Sequence, residues 1–189
     1  RFRSVLLEGG EAVRVVSAYI DLNPVRAGIV ADPKDYRWCS YAAAVAGSLS
    51  ARAGLTVAVA GANHHPSWPT VSASYRQLLF GIGEAASDPK GSRRAGFTRA
   101  QVEAVWKEGG KLSLAQALRC RVRYFSAGTA LGSQAFLDEF FRAKRNSFGG
   151  KRRGGARKMS GADWGELHSL RALRLNAISA PCSDPAGLD

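Results

Sequence analysis

"YIDLNPVRAG", residues 19–28, is the stretch on which the reading of this chain turns. It sets a tyrosine on the flank of a helical pattern, an asparagine four residues later, and then a proline. Upstream, Val13, Val16 and Ile20 recur at helical spacing after Gly9-Gly10, which predicts a helix from about Glu11 to Leu22. Asn23-Pro24 ends or kinks it, because the residue before a proline avoids the α region. Asn23 then fits as the N-cap of a short second helix, with Pro24 at its first position and Gly28 past its end. Four steps of ~100° bring Asn23 to within about 40° of Tyr19 around the helix axis. Two readings fit this geometry. In one, Tyr19 packs and Asn23 caps. In the other, the phenol attacks a phosphodiester while the amide oxygen, a hard ligand, helps to hold Mg2+ or Mn2+.

Outward from that stretch, "RFRSVLL" at residues 1–7 alternates in the manner of a strand. A lone strand cannot stabilise itself, so the chain reads as the C-terminal part of something longer. "DPKDYRWCSY", residues 32–41, is turn-rich and aromatic, and Tyr36, Trp38 and Tyr41 are expected to pack back on the core. Residues 47–69, rich in Gly, Ala, Ser and Pro, read as a linker with little structure. Tyr75, Leu78 and Leu79 suggest a helix over residues 70–81. Thr98–Gln101 and Ser113–Gln116 both fit capping boxes, opening helices to Glu108 and to about Arg121. Their short separation is compatible with a helix-turn-helix, which places Arg119, Arg121 and Arg123 in or just past its second helix, near phosphates or base edges. An ordinary helical hairpin fits the same spacing. A further helix from Ser133 carries the pairs Phe136/Phe140 and Leu137/Phe141.

Charge points toward a polyanion. The 189 residues hold 27 Lys and Arg against 15 Asp and Glu, a formal net charge of +12. Between residues 142 and 158 stand Arg142, Lys144, Arg145, Lys151, Arg152, Arg153, Arg157 and Lys158, with glycines between them and no acidic residue. Such a run suits a phosphate backbone or a solvated flexible tail. A hydrophobic fraction of 46% is enough for a real core. Cys39, Cys120 and Cys182 are too few and too scattered for a disulfide framework or a zinc site. No apolar run approaches the ~18 to 20 residues of a membrane span, and no signal peptide precedes the first strand. A soluble cytoplasmic protein with no membrane partner is expected.

Together, "RFRSVLL", "YIDLNPVRAGIV" and "DPKDYRWCSY" resemble the end of the catalytic domain of the REP-associated tyrosine transposases, a group of single-tyrosine HUH transposases. The likeness spans roughly the first 45 residues; "RYFSAGTALGS" and the helix after it also resemble an extension of some longer members. The fold this implies is α+β and mostly helical here. Residues 1–46 would be the last strand and tyrosine helix of a ferredoxin-like catalytic domain, 47–69 a linker, 70–148 a helical DNA-binding extension, and 149–189 a basic, glycine-rich tail. The activity implied is cleavage and rejoining of single-stranded DNA at or near a hairpin. Tyr19 would form a 5′-phosphotyrosine, Asn23 would ligate the divalent metal, and Arg26 would contact DNA or serve as a structural arginine. Family members also carry a His-hydrophobic-His pair on a strand upstream of the tyrosine. Here His64, His65 and His168 all lie downstream, and adjacent histidines point to opposite faces, which implies an incomplete metal site and a truncated, inactive copy. Related enzymes share active sites between domains, which allows a homodimer. The rival reading is a non-catalytic, helix-turn-helix-like DNA-binding regulator.

Overall fold

The computed structural model describes residues 4–81, 103–105, 107, 110–173 and 177–180. Its class is α+β, with helices gathered around a small mixed sheet. Strand β1 (Leu6–Leu7) leads into helix α1 (Glu11–Asp21), and α2 (Asn23–Arg26) follows after Leu22. A 3-10 turn at Pro33–Asp35 precedes α3 (Ser40–Val45), α4 (Leu49–Ala60) and α5 (Trp68–Phe80). The capping box at Ser113 opens α6 (Leu114–Leu118), which stops three residues short of Arg121. Then come β2 (Arg121–Val122), α7 (Tyr124–Ala127), β3 (Ala130–Gly132) and α8 (Gln134–Ala143). Strands β4 (Arg157–Lys158), β5 (His168–Ser169) and β6 (Ile178–Ser179) follow. The capping box at Thr98 lies outside the described residues; within the helix expected from it, residues 103–105 and 107 are helical.

The partner of β1 comes from ahead in the chain. β1 pairs in parallel with β3, in register Leu6↔Ala130 and Leu7↔Leu131, within a sheet of order β1-β3-β5-β4. Glu8 reinforces the joint, accepting hydrogen bonds from the backbone N–H and the hydroxyl of Ser133, the N-cap of α8. The first residues and those beyond 110 therefore build one body. A single main core cluster runs from Ala12 and Val15 through Tyr75 and Leu79 to Trp164 and Ile178. A smaller one joins Leu137 to Ala130 and Leu170, with Phe136 and Phe140 against it.

Three expectations need correction. Residues 47–69 are not a structureless linker, because Leu49–Ala60 is a helix. Ser48 caps it, its hydroxyl accepting from the Ala51 N–H at 3.4 Å, and alanine, a poor loop residue, carries it. The apolar stripe of α1 is displaced: Ala12, Val15, Val16 and Ala18 are buried, whereas Ile20 is 55% exposed. Contacts on two sides, α4 and α5 on one and β3 on the other, give the small alanines burial that hydrophobicity spacing undervalues. Of the aromatic turn, Tyr41 is buried as expected, but Trp38 faces solvent.

Candidate functional site

Tyr19 sits in the last two turns of α1, half-buried where the helix meets α6, β2 and α7. Its hydroxyl accepts the backbone N–H of Val122 at 3.3 Å. Its ring meets Phe125 edge-on, with centroids 4.7 Å apart. The guanidinium carbon of Arg26 lies 3.7 Å from the ring centroid, a cation–π contact. Arg26 also donates to the Tyr19 carbonyl at 2.8 Å, to the Leu118 carbonyl at 2.7 Å, and to Asn23 Oδ1. One side chain thus fastens the tyrosine helix, the turn after it and the end of α6. Burial lowers the pKa of Arg26 from the usual arginine value, with Tyr19 and Cys120 opposing that shift.

Asn23 is the first residue of α2 rather than its N-cap, which is Leu22 without a side-chain cap bond. Its amide is exposed, and its oxygen accepts from Arg26. His64 and His65 lie exposed in the loop between α4 and α5, and His168 Nδ1 contacts the Glu166 carbonyl at 2.8 Å in β5. Among the described residues, no group of three or more His, Cys, Asp and Glu is placed to hold a metal. Beside Tyr19, the amide oxygen of Asn23 is bonded to the cationic Arg26.

The expected DNA-contacting arginines part company. Arg119 is only 7% exposed at the end of α6, its guanidinium 5.3 Å from the Phe80 ring, so it packs instead of facing a partner. Arg121 is exposed on β2, opposite Ser179, and Arg123 is half-buried at the start of α7. A five-residue α6 followed directly by a strand is short for a recognition helix.

The basic run is folded. Arg152 donates to the carbonyls of Gly154, Gly155 and Leu170 and stacks near Phe141 and Phe148. Arg145 donates to the carbonyls of Phe148, Gly149 and Gly150. Gly155 is no spacer: an added Cβ would collide with the Leu137 carbonyl. Arg142, Lys144, Lys151, Arg153, Arg157 and Lys158 remain exposed. In place of a solvated flexible tail, the run is held by these backbone bonds and carries its remaining cations on the surface.

Sequence reasoning missed Asp21. Fully buried, it accepts from the Ser40 hydroxyl at 2.9 Å, the Tyr75 hydroxyl at 2.8 Å and the Tyr41 N–H at 3.4 Å. Burial, then the neighbouring Asp21 carboxylate, raises the Tyr75 pKa, which keeps that phenol a donor. The signal was an acid in the last turn of a helix, where the macrodipole disfavours it. No protein-family model matches the chain, and no curated protein or solved structure is found similar to it.

Proposed function

We propose that this chain is the tyrosine-bearing part of a single-stranded-DNA transposase of the REP-associated tyrosine group, with β1 and α1 as the last strand and tyrosine helix of a ferredoxin-like catalytic domain. The observation that carries the reading is the strand–helix–proline order around Tyr19. Strand β1, helix α1 and a break at Leu22, just before Asn23-Pro24, leave this phenol half-exposed, whereas Tyr41, Tyr75 and Tyr124 are buried. In the proposed reaction the Tyr19 oxygen attacks a DNA phosphorus and loses its proton. The bond from phosphorus to the 3′-oxygen breaks, leaving a 5′-phosphotyrosine, and the 3′-oxygen takes up a proton. Arg26, stacked on the ring, holds the phenol in place and puts a positive charge beside the incoming phosphate. The exposed cations of residues 142–158 supply phosphate contacts.

The test joins the chain to the histidine-bearing strand that the resemblance calls for and adds hairpin-containing single-stranded DNA with Mg2+ or Mn2+. A protein–DNA adduct stable to denaturant is expected, with none from Tyr19→Phe or from the chain alone. An adduct that survives Tyr19→Phe moves the nucleophile elsewhere. No adduct from the joined protein ends the catalytic reading.

A second reading, a non-catalytic DNA-binding regulator, is favoured by one observation. The Tyr19 hydroxyl and ring are both engaged, by Val122, Phe125 and Arg26, as a packing tyrosine would be. Under it, hairpin DNA binds with equal affinity to Tyr19→Phe and no adduct forms under any condition.

A further inference from the structure

Trp38 departs from the treatment the fold gives the other described aromatic side chains. Tyr41, three residues on, is 2% exposed and Trp164 is 5% exposed, whereas Trp38 is 72% exposed. The turn that carries it is held on both sides. Cys39 donates its N–H to the Tyr36 carbonyl at 3.1 Å and its thiol to the Pro33 carbonyl at 3.1 Å. Ser40 and Tyr41 are bonded to the buried Asp21. The outward direction of the indole is therefore set by an anchored backbone. Beside it, the Arg37 guanidinium carbon lies 4.1 Å from the indole ring centroid. The neighbouring carboxylates, Asp32 and Asp35, are taken by Lys34 and Arg76. Among the described residues Arg37 has no ion pair.

We propose that Arg37 and Trp38 form a base-stacking contact for single-stranded nucleic acid, the indole taking the face of an unpaired base and the guanidinium the adjoining phosphate. Base-on-aromatic stacking needs a preset, solvent-facing ring with a cation at hand, and it tolerates any sequence because every base has a π-face. A duplex hides its bases from such a ring. An apolar protein partner would cover the indole but leave the charge of Arg37 unused on a chain already at +12. An unpaired polyanion uses both groups. The proposal shares with the functional reading its class of ligand and does not require Tyr19 to react.

The experiment uses the Tyr19→Phe chain without metal, so that only binding is read. Its ligands are a labelled unstructured DNA oligonucleotide and the same strand built from abasic nucleotides. Trp38→Ala is expected to weaken binding of the base-bearing strand by about 5-fold to 150-fold, the range for one stacked base. Trp38→Phe should keep most of the affinity, and the abasic strand should bind all three proteins alike. Arg37→Gln should flatten the log-log salt dependence by about 0.7, one phosphate contact. The thermal midpoint of Trp38→Ala should stay at that of its parent, since the side chain is exposed. Unchanged binding of the base-bearing strand by Trp38→Ala overturns the proposal and assigns the indole to a protein partner. Equal losses on both strands overturn it too, because stacking would then not be involved. If the parent chain binds no single strand at all, the proposal and the DNA-binding reading fall together.

Discussion

Arg26 and Arg152 solve the same physical problem in two regions and to different ends. Each buries part of its guanidinium against aromatic rings and spends its donors on backbone carbonyls far apart in sequence. Arginine suits this use, because a planar fork with five donors can bridge several acceptors and still stack. The rings beneath Arg152 are phenylalanines, and its bonds tie residues 154–155 to Leu170 beside α8. The ring beneath Arg26 carries a hydroxyl. There the same clamp also fixes the position of the Tyr19 phenol. The contrast teaches that a cation counted in a sequence is not a phosphate contact until its donors are known to be free.

The sharpest way to break the comparison is to remove each clamp. Arg152→Ala should cost the larger amount, about 3 kcal/mol by urea unfolding, since three carbonyls lose a charged donor and two rings lose cover. A loss below ~1 kcal/mol would mean that the segment holds itself. Arg26→Ala should cost roughly 2 kcal/mol, with one effect Arg152→Ala lacks. Freed of its cover, the Tyr19 ring should be nitrated faster by tetranitromethane, as read by peptide mapping. Equal nitration of Tyr19 in both variants would reduce Arg26 to a second structural staple.

Smaller effects sharpen the point. Lys151, Arg153 and Arg157 are exposed, so their joint change to Gln should shrink the log-log salt slope for single-stranded DNA by roughly 2. Arg152→Gln, although in the same run, should leave that slope in place. If the slopes respond alike, the clamp is open in solution. The smallest expected effect is a pH dependence. Asp138 on α8 accepts the N–H groups of Ala156 and Gly155, which lower its pKa from the usual carboxylate value of 3.8. A lowered folded-state value means that its stabilisation is present above the unfolded pKa and fades as pH falls through the folded one. Exchange of those two amides should therefore gain protection less steeply below pH ~4 than neighbouring amides, and Asp138→Asn should remove the difference.

How far the sequence could be read follows from how local each signal is. Ser113 caps its helix as the pattern predicts, because a cap is decided within four residues, and the helix expected from Ser133 is there too. The helix around Tyr75 is found from its apolar spacing, another local signal, although it begins at Trp68. The helix at Leu49 was hidden by composition, since alanine and glycine together resemble a linker unless the serine cap is weighed first. What the sequence could not display were partners from a distance. The bond from Val122 to Tyr19, the Leu118 carbonyl under Arg26 and the tyrosine beside Asp21 all join segments more than fifty residues apart. Trp38 was misjudged differently: hydrophobicity predicts burial, and only an anchored turn reveals that a ring has been left outside.

The pairing of β1 with β3 has a consequence for how the chain comes into being. Glu8 and Ser133 are 125 positions apart, so β1 cannot make its pairing with β3 until that later segment has left the ribosome. Closing so long a loop costs entropy before any contact repays it, and folding dominated by such contacts is slow. Until then the edge of β1 that β3 covers stays open to other chains or to a chaperone. Tyr19 gains its neighbours Val122 and Phe125 late as well. A nascent chain halted before residue 120 would thus expose the phenol that the finished protein covers.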